Sequence, residues 1–474
     1  MIDLLLLLGI FSLGFIITTY LMCESPPPMK FALAFPVGAG VLTFVQFLLS
    51  WIHLPIMPLV TLPTLGILIL FFGWLNYSLP KTINSHVGGL FHTQESDIWE
   101  TLSPRYVYLA VLGAFLAASW FAVNRSYSTW DAMAIWGAKG YGIAERGSVF
   151  AAKQWGALGL AYPLNIPLLI ANFRQASGDI LPTSKILFPI FYTCLVLLCV
   201  EYWRARKIPN KIILLASMLL ATSPILFEQG TIGYVNLPFT TYLLGGTIVS
   251  IHGIMSSRKS AQILGSFLFG MAAWSRAEGL LYVVACYAGI ALMLGVRTKN
   301  KIHFLAWFGP FSLIAITWFC FTIRFGSPGE SHMAVAIRSA IMGISQGEYN
   351  LREFLQIGRY FIRHALEPGE WGFIVPAVSI LLCLRWQRPW PNGRGATAAI
   401  GLSASFILIV IFVMYYLSSF RENPTLVDFL YMAFNRSLIP FMVMLTLYAV
   451  DLLGSGRSMN SPSPKRKLNK IPEI

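Results

Sequence analysis

Charged side chains are scarce in this chain. Only 11% of its 474 residues are Asp, Glu, Lys or Arg, whereas 56% are hydrophobic. A soluble domain normally carries about 25% charged residues, so a chain this long and this poor in charge cannot build a water-facing surface. Apolar runs such as Ile2 to Met22 and Ile400 to Leu417 approach or reach the roughly 20 residues that cross a bilayer core. The composition therefore predicts a membrane protein.

Several sequence signals are also missing. The first apolar run begins Met1-Ile2-Asp3, without a basic segment or a small-residue cleavage site, so we interpret it as a retained helix. The six cysteines and seven histidines show no metal-ligand spacing. No Gly-rich phosphate loop, Walker element or nucleophile elbow is present. The sequence therefore contains no motif that requires a cofactor, and nothing in it supports a divalent metal.

The apolar runs predict an all-α fold, a polytopic transmembrane helix bundle of about 13 spans. A shorter apolar segment, 161–175, would be about 22 Å long as a helix, which is short for a full crossing. We divide the chain into N-terminal helices with a connecting loop (1–104), a core (105–324) with a first outer loop (124–160), an outer amphipathic loop (325–370), C-terminal helices (371–454) and a basic tail (455–474). The predicted spans are 2–22, 31–51, 54–78, 105–123, 183–203, 210–227, 234–254, 262–276, 278–296, 303–324, 371–386, 397–418 and 434–454.

The excess positive charge indicates how the spans are oriented. Much of the net charge of +14 lies in short turns, and basic turns are retained on the cytoplasmic side of a membrane. We therefore expect 204–207, 258–259, 297–301, 385–394 and the tail to be cytoplasmic in a plasma (inner) membrane. The segments 124–160, 325–370, 419–433 and the turn 228–233 are then outside. The side assignments obtained by counting spans from the N-terminus and from the C-terminus agree only if 161–175 is re-entrant or shallow. If this segment crosses the membrane fully, one of the other assignments is wrong.

The basic tail has two interpretations. Lys465-Arg466-Lys467 either rests against anionic lipid headgroups or serves only as an orientation signal. Nucleic acid is not an expected partner, because a chain this apolar has no place for a soluble basic face.

Two of the outer segments are long and amphipathic. Residues 124–160 interleave aromatic rings with Lys and Arg, a mixture that suits the headgroup layer of a membrane. Residues 351–366 place apolar side chains on one side of a helix and Arg and Glu on the other. We expect this helix to lie on the membrane or on the bundle, and both segments point to an outward-facing site.

Asp131 is the most informative acid in the chain, since it is the only carboxylate between residues 100 and 145. If a helix starts here, Asp131, Ile135 and Lys139 fall along one side, with the acid and the amine about 12 Å apart. That separation could bracket a ligand, with a base at one end and a cation for phosphate at the other. The alternative is that Asp131 or Thr129 caps the N-terminus of the helix.

A series of short motifs resembles the C-type glycosyltransferase superfamily, specifically bacterial polytopic proteins similar to protein O-mannosyltransferases and lipid A aminoarabinose transferases. The motifs run in order over roughly 105–454. They are Trp130-Asp131-Ala132-x-Ala134-Ile135-Trp136-Gly137-x-Lys139, Tyr162-Pro163-Leu164-x-x-Pro167-Leu168, Gly233-Tyr234-x-Asn236-Leu237-Pro238, Trp274-Ser275-Arg276-Ala277-Glu278-Gly279-Leu280 and Asn435-Arg436-Ser437-Leu438-Ile439-Pro440.

The resemblance implies a site on the outer face. Asp131 would be the general base in an inverting transfer of a sugar from a polyprenyl-phosphate lipid to an acceptor hydroxyl, and a nucleotide-sugar donor is not expected. Cations would hold the developing phosphate charge, a role that suits arginine because of its fixed fork of donors. The expected phosphate-binding residues are Lys139, Arg276 and Arg436, and the expected supporting residues are Trp136, Tyr162, Glu228, Asn236 and Glu278.

The chain departs from the family pattern at two positions. Asn236 stands where the family has an acid, and Glu228 is a candidate substitute for that acid. Arg276 stands where the family has a lysine, which keeps the charge but changes its geometry. Arg276 and Glu278 could also simply neutralise each other in an outer turn, and Arg436 could be an interfacial anchor.

Two other classes of function stay open. A transporter or flippase of a lipid-linked or polar solute would explain the span count. The absence of an internal repeat and of deeply placed charges weighs against it. A non-catalytic subunit of an envelope assembly is the third possibility, because the acid expected at position 236 is missing.

Overall fold

The structure is a computed structural model that describes residues 2–78, 103–127, 129–155, 160, 162–177, 182–294, 301–326, 342, 351–386, 395–417 and 433–454. Throughout these ranges the secondary structure is helical, with no strand, which confirms the predicted all-α fold for them. Predictions for 79–102, 297–300, most of 327–350, 387–394, 419–432 and the tail lie outside the described residues.

The described residues form nineteen α-helices. In chain order they are α1 (Ile2–Leu21), α2 (Pro27–Trp51), α3 (Pro58–Ser78), α4 (Arg105–Val123), α5 (Ala138–Arg146), α6 (Asn165–Ser177), α7 (Pro182–Lys185), α8 (Leu187–Ala205), α9 (Asn210–Ala221), α10 (Pro224–Gln229), α11 (Asn236–Met255), α12 (Lys259–Ala273), α13 (Gly279–Leu294), α14 (Lys301–Phe325), α15 (Leu351–Leu366), α16 (Pro368–Trp371), α17 (Ile374–Trp386), α18 (Gly395–Leu417) and α19 (Ile439–Gly454). Within the described residues, Asp131–Gly137 forms a π-helical segment and Val149–Lys153 a 3₁₀ turn.

Among the described residues, eight helices are long and apolar enough to cross a membrane: α1, α2, α3, α4, α8, α11, α14 and α18. The other five predicted spans coincide with α9, α12, α13, α17 and α19, which have only 12 to 16 residues. A helix of 16 residues is about 24 Å long, less than the hydrocarbon core. The predicted span 210–227 is divided because Pro224 starts a new helix, α10. The long apolar helices support a membrane protein, and the count of 13 spans stays a prediction.

Glycines bring α1 and α2 into close contact. A Cβ added to Gly14 would lie 1.7 Å from the Ala34 carbonyl oxygen, and one added to Gly38 would lie 1.8 Å from the Ile10 carbonyl oxygen. Such close approach of two backbones is typical of membrane helix pairs, where packing replaces the hydrophobic effect as the attraction. The first two helices therefore form a tightly joined unit.

The short helix α6, which covers most of the segment predicted to be re-entrant, is tied to α2 by buried polar contacts. The Oδ1 atom of Asn165 accepts a hydrogen bond from Thr43 at 2.9 Å, and Asn172 exchanges hydrogen bonds of 2.7 Å with Gln46. At the other end of α6, Gln175 donates to the Ile56 carbonyl oxygen, just after α2. One end of α6 therefore lies beside the last part of α2 and the other end just beyond α2, and the re-entrant interpretation of 161–175 stays a prediction.

Polar contacts between turns sort the helix ends into two groups. Arg258, before α12, pairs with Glu24, before α2. Arg206, after α8, pairs with Asp451 near the end of α19 at 2.8 Å. Each of these contacts joins segments that the basic turns assign to the cytoplasmic side. Contacts among the segments assigned to the outer side build the site described below.

The amphipathic segment 351–366 is a helix, as predicted. One edge of α15 packs on the bundle, where Ile357 is fully buried and the Phe361 ring contacts the rings of Phe412 and Phe434. Leu355 and Ile362, also on the apolar side, are about 60% exposed, at 61% and 58%. The helix therefore lies on the bundle while part of its apolar face stays uncovered.

Candidate active site

Asp131 meets Arg436, a residue 305 positions away along the chain. The Arg436 Nη1 atom donates to Asp131 Oδ2 at 2.6 Å, in an ion pair whose side chains are 19% and 29% exposed. Asp131 begins the π-helical segment, whose N-terminus has no side-chain cap. The capping alternative therefore does not describe this carboxylate, which instead joins the first outer segment to the start of the last helix.

The expected alignment of Asp131, Ile135 and Lys139 along an α-helix is wrong. Residues 131–137 are π-helical, with hydrogen bonds that reach five residues along the chain, so the spacing of four no longer stacks side chains. Lys139 is completely buried, and its Nζ atom lies 5.6 Å from the centre of the Tyr162 ring. Lys139 thus belongs to the wall of the site, whereas Asp131 is partly exposed.

Arg276 and Glu278 form a second ion pair, in the turn between α12 and α13. They neutralise each other, as one of the two interpretations predicted. Burial, the largest single influence, acts to lower the pKa of the Arg276 guanidinium. The Glu278 carboxylate and the surrounding tyrosine phenols act in the opposite direction, and their combined effect raises the pKa. The Nη1 atom of Arg276 is buried and has no hydrogen-bond partner in the part of the chain that the structure describes. This guanidinium therefore retains an N–H donor that can bind an anion.

The buried polar contacts of α6 fix this turn. Asn165 donates to the hydroxyl of Ser275 at 2.8 Å, and Ser275 in turn donates to the Met271 carbonyl oxygen at 2.6 Å. Because the same Asn165 side chain is bound to Thr43, the residue next to Arg276 is linked through α6 to α2. The helix α6 thus holds the turn of the second ion pair to α2.

Tyr162 lies within electrostatic reach of both ion pairs. Burial raises the pKa of its phenol, the carboxylates of Glu278 and Asp131 raise it further, and Arg276 and Arg436 lower it. The indole ring of Trp136 stands edge-on to the Tyr162 ring, with ring centres 5.3 Å apart. The structure therefore brings six of the predicted site residues around one partly buried ring: Asp131, Trp136, Lys139, Arg276, Glu278 and Arg436.

Further tyrosines complete the surroundings. The Arg436 guanidinium lies 4.8 Å from the centre of the Tyr234 ring, a cation–π contact that supports the charge. The Tyr415 hydroxyl hydrogen-bonds the Ser437 hydroxyl at 3.0 Å, and Tyr282 donates to the Ser437 carbonyl oxygen at 3.4 Å. Sequence reasoning missed Tyr282 and Tyr415, because a tyrosine within an apolar run is indistinguishable from an ordinary core residue.

The loop that leads into Asp131 is held by Lys185. Its Nζ atom donates to the carbonyl oxygens of Arg125 at 2.6 Å and Ser126 at 3.3 Å. Burial, together with the nearby Arg125 charge, lowers the pKa of Lys185 to about 8. Tyr127, next in the loop, hydrogen-bonds Ser184 at 3.2 Å and packs against Gly233. These contacts fix the approach to the site from α4.

Asn236 begins α11, and Glu228 lies near the end of α10. The buried Asn236 amide donates to Gln229 Oε1 at 2.8 Å, which ties the start of α11 to α10. Glu228 is exposed, and its charge raises the pKa of Tyr234 as a minor contribution beside burial. Asn236 therefore has a partner within the protein, and the role of Glu228 as a substitute acid stays a prediction.

The arrangement combines two carboxylates with two guanidiniums at one end of the helix bundle. A carboxylate can accept a proton, and a guanidinium can bind the oxygens of a phosphate. Within the described residues, no group of three or more His, Cys, Asp or Glu side chains could hold a metal ion. The site is thus suited to proton transfer and anion binding.

Fold and site together define a class: an all-helical protein with membrane-length apolar helices and a polar, aromatic-lined site at one end. Comparison of the chain with protein-family models, with curated proteins and with solved structures gives no match.

Proposed function

We propose that this protein is a membrane glycosyltransferase that moves a sugar from a polyprenyl-phosphate lipid to an acceptor hydroxyl on the outer face of the membrane. Asp131 is the general base, and Arg436 and Arg276 bind the donor phosphate. Trp136, Tyr162 and Lys139 form the wall that orients these groups, and Glu278 neutralises Arg276 when no ligand is bound.

One observation carries the proposal. Asp131 and Arg436 are 305 residues apart in the chain and meet at 2.6 Å, and both they and the Arg276–Glu278 pair lie within electrostatic reach of Tyr162. Charges next to hydrocarbon are costly, and their convergence at one place is a default indication of function. The buried, unpartnered Nη1 atom of Arg276 further supports an anionic ligand.

The proposed reaction is a single displacement. The acceptor oxygen attacks the anomeric carbon while its proton passes to the Asp131 carboxylate. The bond between the anomeric carbon and the phosphate oxygen breaks, and polyprenyl phosphate leaves with the electron pair and one more negative charge. Arginine side chains that meet this developing charge lower the barrier, and the anomeric configuration inverts.

The test is transfer by purified protein in lipid nanodiscs, with radiolabelled polyprenyl-phosphate sugars as donors and cell-envelope extract as the source of acceptor. We expect Asp131→Asn to lower the rate of transfer by about 10²–10⁴-fold, the usual contribution of a general base. Glu145→Gln is the matched control, because Glu145 is a 48% exposed acid of the same outer segment, paired with Arg174. Its transfer rate should equal that of the wild type.

If Asp131→Asn transferred sugar at the rate of the wild type, Asp131 would not be the base. Wild-type protein that neither transfers sugar nor binds polyprenyl phosphate would instead favour a transporter or an assembly subunit, in which the two ion pairs hold helices together.

A further inference from the structure

A short helix outside the site makes contact with the residue before Arg436. Glu370 lies in α16, which follows the amphipathic helix α15, and its side chain is 18% exposed. Its Oε1 atom accepts a hydrogen bond from His364 Nδ1 at 2.8 Å and a second from Asn435 Nδ2 at 3.3 Å. One carboxylate oxygen therefore joins the outer amphipathic segment to the start of the last helix.

Asn435 carries this contact to Arg436. The Oδ1 atom of Asn435 accepts the backbone N–H of Arg436 at 2.7 Å, so the two ends of one amide bind Glu370 and Arg436. The Arg436 side chain then reaches Asp131 at 2.6 Å. Hydrogen bonds thus link His364, Glu370, Asn435 and the Arg436 backbone, and the Arg436 side chain carries the link on to the Asp131 carboxylate.

The carboxylate of Glu370 is unusual for a purely structural link. Its Oε2 atom is buried and has no hydrogen-bond partner among the described residues. A buried charged oxygen without a partner costs free energy, and such a group calls for an explanation beyond packing. A neutral amide would join His364 and Asn435 with a smaller desolvation cost. The negative charge therefore points to a role in holding the orientation of Asn435, whose N–H₂ group must face it.

The α15–α16 segment is itself firmly docked at this place. Trp371, next to Glu370, is 1% exposed, and Gly372, at φ +57°, brings the chain against Pro224 of α10. Phe434, next to Asn435, packs edge-on against the Tyr415 ring at 4.8 Å. Packing of the adjacent residues thus holds both Glu370 and Asn435, and the contact can fix the position of Asn435 relative to Glu370.

We infer that Glu370 is a positioning residue of the site, which fixes Asn435 and thereby the place of the Arg436 guanidinium. The inference rests on the proposed function, in which Arg436 binds the donor phosphate. Glu370 itself touches neither donor nor acceptor. The outer amphipathic helix is then a part of the site's support rather than only a surface element.

The first measurement needs no ligand. Phenylglyoxal modifies accessible arginine side chains, and mass spectrometry gives the rate at each arginine. In Glu370→Ala we expect modification of Arg436 to be several-fold faster than in the wild type, with the rate at Arg276 unchanged. Glu370→Gln keeps an acceptor for Asn435 but loses the charge, and it should restore only part of the protection. Glu367→Gln, an exposed acid at the start of the same short helix, is the matched control and should leave the rate at Arg436 unchanged.

The second measurement compares polyprenyl phosphate with polyprenol, its uncharged counterpart, as ligands of the purified protein. We expect Glu370→Ala to bind polyprenyl phosphate about tenfold more weakly, the effect of losing one charge-assisted hydrogen bond, and polyprenol as before. Unchanged Arg436 reactivity in Glu370→Ala, or equal loss of both lipids together with a lower unfolding temperature, would overturn the inference. If Arg436 becomes reactive as expected but the wild type shows no preference for polyprenyl phosphate, the positioning role stands and the proposed function fails.

Discussion

At the scale of single residues, a guanidinium that already holds a carboxylate can take a phosphate only by sharing or exchanging its donors. Arg436 binds Asp131 through one nitrogen, and both side chains are partly exposed. Ion pairs of this kind contribute little free energy, about 0.2–1 kcal/mol, so exchange is easy. A carboxylate bound to arginine is also a weaker base. The proposed reaction therefore needs the donor phosphate to draw Arg436 away from Asp131.

This exchange predicts that removing the Asp131 charge improves binding while it abolishes transfer. Asp131→Asn should bind polyprenyl phosphate more tightly than the wild type, by up to about fivefold, because the competing anion is gone. Equilibrium binding to protein in nanodiscs measures the effect, with polyprenol as the uncharged ligand and Glu145→Gln as the control. Weaker binding by Asp131→Asn would mean that the carboxylate helps to hold the ligand, and the exchange would be excluded.

At the scale of helices and turns, the apolar runs predicted most elements. The other elements depend on contacts between residues that are far apart in the chain. The amphipathic helix 351–366 and the turn at Arg276–Glu278 follow from local patterns. The π-helical segment at Asp131 does not, since local spacing suits an α-helix equally well. The partner of Asp131 lies 305 residues away, and only the resemblance to a family suggested that both belong to one site. No local sequence pattern distinguishes Glu370, because its proposed role depends on its contact with Asn435, which is 65 residues away.

The turn before α11 allows a test of how strictly this turn determines the position of Tyr234 in the site. Gly233 has φ +91°, and a Cβ there would lie 2.4 Å from the Tyr127 ring. Gly233→Ala should therefore lower the free energy of unfolding by about 1–3 kcal/mol through backbone strain, and it should displace Tyr234 from beneath Arg436. Thermal unfolding and polyprenyl phosphate binding both check this expectation.

Gly113→Ala in α4 is the matched control, because a Cβ at that position meets nothing within 4 Å. It should leave stability and binding unchanged or raise stability slightly, since alanine favours a helix over glycine. If Gly233→Ala behaved like Gly113→Ala, the turn would have room for a side chain and would not define the position of Tyr234.

At the scale of the whole molecule, the bundle carries a buried polar cluster at one end and the two ion pairs of the site at the other. At the end assigned to the cytoplasm, the buried Asp451 carboxylate accepts hydrogen bonds from Arg206 at 2.8 Å, Tyr202 at 2.9 Å and Thr397 at 2.5 Å. At the other end, Arg276 keeps a buried donor without a protein partner. The Asp451 cluster is therefore suited to a role in stability, whereas Arg276 retains binding capacity.

Loss of Asp451 should destabilise the protein strongly. Asp451→Ala leaves Arg206 without its carboxylate at a junction of α8, α18 and α19, and breaking a buried pair typically costs about 3–5 kcal/mol. We expect a clearly lower unfolding temperature, which scanning calorimetry of the purified protein would measure. Glu145→Gln, which breaks the exposed pair with Arg174, should change it little. Asp451→Leu combined with Arg206→Met should recover stability, whereas continued loss in that double variant would show that the hydroxyl contacts matter more than the charges.

The sidedness of the membrane decides whether a lipid-linked sugar can reach the site at all. Contacts place Gly147 beside Ile56 and Arg258 beside Glu24, so the two groups of turns lie at separate ends of the bundle. The basic turns predict that the end with Arg258 is cytoplasmic. After replacement of Cys23, Cys320 and Cys383, which are at least partly exposed, a single cysteine at Gln154 should react with a membrane-impermeant maleimide in intact cells. A single cysteine at Ser257 should react only after the cells are permeabilised. The opposite pattern would put Asp131 on the cytoplasmic side, and an outer-face transfer from a polyprenyl-phosphate donor would then be impossible for this protein.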